Sequence, residues 1–181
     1  MNTSCRRFNR NGEFVKSIGS GSRGSKPGEF NDPKGVKVHQ NQVYVCDFHN
    51  NRIQVFDFKL RFITSFGTKG FGEGQYDRHN DLAFDNQGNI YVSEYGNKRV
   101  QVLDPNSRYL RQFGDESGPG ELQLPNGIQV GLYISDYENH RIAVFQLSGA
   151  FLTSVGKEGE RRGEFCCPCG IVVAFSLHVT R

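Results

Sequence analysis

The feature that most constrains this chain is that it repeats itself. Residues 136–145 read DYENHRIAVF, residues 47–56 read DFHNNRIQVF and residues 94–103 read EYGNKRVQVL. Each copy has an acid, then an aromatic, an Asn three places after the acid, an Arg five places after it, and a run of strand-forming residues. A recurring unit of this kind cannot bury its apolar faces alone, so the fold must be an array of stacked copies.

Two further anchors fix the period. GEFNDPKGV, GQYDRHNDL, GELQLPNGI and GEFCCPCGI begin at Gly28, Gly74, Gly120 and Gly163, spaced 46, 46 and 43 residues apart. SFG, QFG and SVG close the units at Gly67, Gly114 and Gly156, and SIG at Gly19 is the tail of a unit whose beginning is missing. The expected division is a last strand plus linker in 1–23, repeats in 24–67 and 68–114, a shortened repeat in 115–156, and a truncated, diverging repeat in 157–181.

Within a unit, alternation and breakers predict four short strands, at 35–38, 42–48, 52–58 and 61–66 in the first. The gaps between them are short and rich in Asn, Asp and Gly, which suits hairpins. Val43 to Cys46 run unbroken, the pattern of a strand buried on both faces. Ile53 and Val55 alternate with Arg52 and Gln54, which predicts one buried face only. Four antiparallel strands every 40–50 residues or so, without helical periodicity, describe an all-β propeller blade.

These motifs, GxF…PxGI, IYVxDxxNxRIQVF and FLxxFG, resemble the NHL repeat of propellers found in tripartite-motif (TRIM) ubiquitin ligases. The resemblance covers residues 28–170 and reaches back weakly to Phe14. It implies an incomplete NHL-type ring of about three full four-stranded blades, in a fragment of a longer protein. It also implies a non-catalytic module that recognises protein targets, with RNA as a further ligand class, as the substrate-recognition part of a ligase. A purely structural scaffold is the alternative, and a metal-dependent amidating lyase a remote one.

Three departures stand out. Asp81 replaces the glycine of Gly35 and Gly127, and His79 stands where the other units have proline. In the third unit Gly131 alone separates Val130 from Leu132, so that strand pair is expected to be shortened. After Gly170 the unit dissolves into IVVAFSLHVTR.

In an antiparallel blade, the turn between strands two and three falls on the same rim as the linkers between blades. The candidate binding rim is therefore Arg78, His79, Asn80, Tyr95, Lys98, Tyr137, His140, His49 and Lys69, where cations interleave with aromatic rings. Asp47, Arg52, Glu94, Arg99, Asp136 and Arg141 recur in every copy, and recurrence suits a structural turn better than a unique active site. No catalytic group, cofactor or metal set is expected. Histidines sit at unrelated offsets, and Cys166, Cys167 and Cys169 lack a second cysteine pair, so ordinary packing is expected there.

The formal net charge of +3 permits an anionic partner without demanding one. Five cysteines and no apolar leader point to a reducing, cytoplasmic setting. Partners expected are proteins and RNA, not DNA or a membrane.

Overall fold

The structure, a computed structural model, describes residues 3–172. Strands β1 (Cys5–Phe8) and β2 (Phe14–Ile18) pair as a two-stranded antiparallel sheet. The first four-stranded sheet follows, with β3 (Pro33–His39), β4 (Gln42–Asp47), β5 (Arg52–Asp57) and β6 (Phe62–Phe66) in sequential order. A linker carries the two-residue parallel pair β7 (Thr68–Lys69) and β8 (Gln75–Tyr76). The second sheet is β9 (His79–Phe84), β10 (Ile90–Glu94), β11 (Arg99–Leu103) and β12 (Tyr109–Phe113). The third is β13 (Pro125–Gln129), β14 (Tyr133–Asp136), β15 (Arg141–Phe145) and β16 (Phe151–Val155). Among the described residues these are three complete propeller blades, with their first strands β3, β9 and β13 side by side. No described helix is long and apolar enough to cross a membrane, which says nothing of strands.

Local chemistry explains the hairpins. Gln40 and Asn41 both take positive φ, 46° and 61°, giving the mirror-image turn that matches strand twist. Asp57 Oδ1 accepts the amides of Lys59 and Arg61 and so shapes the β5–β6 turn. Asp104 does the same with the amides of Asn106 and Arg108 in the next blade. In the third blade the loop runs over 130–132, because Gln129 pairs directly with Tyr133. Leu132 adopts φ 45° there and drives its side chain into the core, leaving β14 only four residues long.

The cores lie between sheets rather than within one. Val43 and Val45 face the β1–β2 side, packing with Phe30 and Phe56, while Cys46 and Tyr44 face the second blade with Ile53 and Leu82. A third cluster joins blades two and three through Tyr91, Val102, Leu122, Ile128 and Ile134. Beads of apolar side chain thus alternate with sheets, as a propeller requires.

One expectation about the strands is corrected. Gln54 is fully buried, so β5 is covered on both faces and not on one. Its amide nitrogen donates to the Glu29 carbonyl and to Asp47 Oδ2, and its oxygen accepts the Gly28 amide. Gln101 repeats these contacts with Gln75, Glu94 and Gly74. A polar side chain can be buried where every group is paired.

Asp81 also acquires a role. Its carboxylate pairs with Lys37 on β3 at 3.3 Å and accepts the Ile128 amide on β13 at 3.3 Å, tying three innermost strands together. The expected loss of repeat pattern after Gly170 lies, beyond Val172, outside the described residues.

Candidate functional site

The recurring turn is a closed hydrogen-bond network. Asp47 Oδ1 accepts the Asn31 amide, while Oδ2 takes Asn50 Nδ2 and Arg52 Nε, each at 2.9 Å. Glu94 collects Asn97, Arg99 and the Asp77 amide, and Asp136 collects Asn139, Arg141 and the Gln123 amide. The three carboxylates are wholly buried, and each Arg also donates to linker carbonyls such as Glu29, Gln75 and Glu121. Burial pushes the Glu94 carboxyl up despite Arg99 beside it. With every oxygen committed to a neighbour of the scaffold, these acids have no face left for a substrate.

The same network places the turns and linkers on one rim. Asn50 and Asn97 donate to the carbonyls of Gly24 and Gly70 in the linkers. The fifth turn residue then reaches the following linker: Asn51 Oδ1 accepts the Arg78 amide, Lys98 Nζ donates to Gln123, and His140 Nδ1 accepts the Cys167 amide. Asn51, Lys98 and His140 all hold positive φ, as do Asp32, Arg78, Leu124 and Cys167 in the linkers.

Of the residues expected on the rim, His49, Lys69 and Arg78 come together. With Asn51, Phe71 and Asp77 they line a cavity of about 450 Å³ between the first two blades. The Arg78 guanidinium stands 5.5 Å from the centre of the Tyr95 ring, and its Nε lies 3.4 Å from Asp77. His49 lies 3.8 Å from Asp32, whereas Lys69 has no ion pair among the described residues. Phe71 is 78% exposed and was not expected. It stands in a glycine-rich linker, outside any repeated motif, so only its lack of an apolar counterpart in the other units could have marked it.

Two expectations fail. His79 is fully buried, its ring against Tyr76 and its Nε2 on the Arg52 carbonyl at 2.9 Å, and Asn80 is buried as well. Burial lowers the His79 pKa to about 4, so it is neutral and fills the slot that Pro33 and Pro125 occupy elsewhere. Neither residue offers a contact surface.

Tyr137 and His140 belong to a second place on the rim. Both are half-buried, and the neighbouring Cys167 side chain pushes the Tyr137 hydroxyl pKa up. Packing does not account for the cysteines: Cys166 and Cys169 are exposed and Cys167 only half-buried.

Comparison with known proteins accords with this geometry. The NHL repeat pattern matches residues 30–56 and 80–103. RING finger protein nhl-1 of Caenorhabditis elegans is 41% identical over 64 residues, 35% of this chain and 7% of that protein. Protein brain tumor of Drosophila melanogaster is also 41% identical over 64 residues, 35% of this chain and 6% of that protein. The chain therefore spans only a small fraction of these relatives. Virginiamycin B lyase from Staphylococcus aureus superposes with a TM-score of 0.60 at 14% identity, over 82% of this chain and 47% of that one. At that identity the likeness supports the β-propeller fold and carries nothing of the lyase chemistry.

Proposed function

We propose that these NHL repeats form a non-catalytic binding module that takes a protein segment in the rim cavity between the first two blades. One observation carries the reading: Phe71 stands exposed beside Lys69 and Arg78, while the repeated acids and arginines are sealed into the scaffold. An exposed ring beside cations suits a peptide with an apolar anchor and an acidic neighbour. Asp77, 3.4 Å from Arg78, neutralises part of the charge, which favours a peptide over a phosphate backbone.

RNA is the finer reading, supported by Lys69 and Arg78 beside the Phe71 ring, Arg78 over the Tyr95 ring, and Lys98 on the next turn of the rim. Target selection for a ubiquitin ligase is finer still and is supported by the likeness to a RING finger protein. Five unpaired cysteines fit a cytoplasmic setting.

The test is peptide-display selection on the whole chain, alongside single-stranded RNA titrated at two salt concentrations. Acidic-apolar peptides whose binding falls at least about tenfold, roughly 1.4 kcal/mol, in Phe71→Ser and Lys69→Glu support the protein reading. RNA affinity that drops in Arg78→Glu with Lys98→Glu, with a shallower salt slope, supports the RNA reading. Binding of either ligand that survives all four changes rejects this cavity.

A further inference from the structure

The rim position that joins the third blade to the following linker differs chemically from its counterparts. His140 Nδ1 or Nε2, Cys166 Sγ and Cys167 Sγ supply donor atoms that all lie within 4.8 Å of one another. His140 lies 26 and 27 residues before Cys166 and Cys167 in sequence, and the propeller brings them together where the turn of one blade meets the linker that follows. At the first junction that contact is Asn51 on Arg78, and at the second it is Lys98 on Gln123. Only at this junction, among the described residues, do the converging side chains carry nitrogen and sulfur donors.

Backbone conformation explains how two successive cysteines share one spot. In extended chain, neighbouring side chains point to opposite faces. Cys167 instead takes φ 53°, as Asp32, Arg78 and Leu124 do at the same place in their linkers. That left-handed turn brings both sulfurs to the side where His140 stands. The imidazole is held there by the Cys167 amide at 3.2 Å, and Cys166 keeps the site open to solvent.

We propose that His140, Cys166 and Cys167 bind a thiophilic divalent cation of the zinc class, clipping the third blade to the segment that follows it. One imidazole nitrogen and two thiolates are donors this ion prefers, and a water molecule from solvent completes four-coordination. Binding through Nδ1 exchanges one long hydrogen bond for a metal bond. The two thiols lose their protons to solvent, so each ion bound releases two protons and leaves a neutral site.

The test uses the reduced whole chain, freed of metal by chelation and titrated with Zn²⁺ and Co²⁺. The expected result is one equivalent bound, two protons released, a thiolate-to-Co²⁺ charge-transfer band, and a melting temperature that rises with Zn²⁺. Cys166→Ser and Cys167→Ser should each weaken binding by more than the about 10–100-fold that loss of an outer-shell partner costs. His140→Asn should do the same while folding normally, since Asn51 fills that position in the first blade. Cys5→Ser, at the other end of the array, should bind as the parent does. Failure of the parent chain to bind, a Co²⁺ spectrum without thiolate bands, or binding that His140→Asn leaves unchanged would overturn the site.

Discussion

Removing a single oxygen atom should make this protein more stable. Tyr76 is fully buried, and its hydroxyl has no hydrogen-bond partner among the described residues. Its equivalents in the other units are Phe30, Leu122 and Phe165, which carry no such group. An unpaired buried hydroxyl costs about 1–3 kcal/mol, so Tyr76→Phe should gain roughly 1 kcal/mol or more while the ring keeps its packing against His79. Tyr91→Phe is the natural control, because that buried hydroxyl donates to Asp85 at 3.2 Å. Losing that bond should cost about 1 kcal/mol. With a urea dependence of about 1–3 kcal/mol per molar, the two midpoints should move in opposite directions by roughly 0.3–1 M. Reversible urea unfolding followed by tyrosine-independent far-UV dichroism reads both. If Tyr76→Phe falls as far as Tyr91→Phe, the hydroxyl is paired and the reasoning is wrong.

Other perturbations test the scaffold at different points. Glu94→Gln strands Arg99 in a buried setting and should lower stability by about 3–5 kcal/mol, seen as a collapse of the urea midpoint. Gly67→Ala must place a Cβ 2.3 Å from the Tyr76 ring at φ +96°, and roughly 2–4 kcal/mol of destabilisation is expected in the same assay. Asp57 is held below its usual pKa by the Arg61 amide above all, and by the Arg61 side chain and the Lys59 amide. Its contribution is therefore present above the unfolded value near 3.8 and is lost as pH falls through the lower folded value. Asp57→Asn should remove that acid-side slope, and an unchanged stability–pH curve between about pH 5 and 2 would contradict the assignment.

The array was legible because its anchors are chemical. Asp47, Asn50 and Arg52 recur with fixed spacing since one buried carboxylate must receive them together. Gln54 was misplaced because an alternation argument counts every polar residue as outward, and its partners Gly28 and Glu29 lie some 25 residues away. His79 looked like a rim cation since histidine is polar, but it stands in a proline slot facing Tyr76. Phe71 and the His140–Cys166–Cys167 group were missed for opposite reasons. The first belongs to no motif, while the second appears only when a turn is laid against the linker of the next unit.

The most direct measurement is a cross-strand NOE map of the uniformly labelled chain. Blades of one design predict that Ile53 faces Phe66, Val100 faces Phe113 and Ile142 faces Val155, in the same register three times over. They also predict contacts from β9 to both β3 and β13. Registers that differ between the three units, or a β9 strand that touches neither neighbour, would contradict the propeller and the rim built on it.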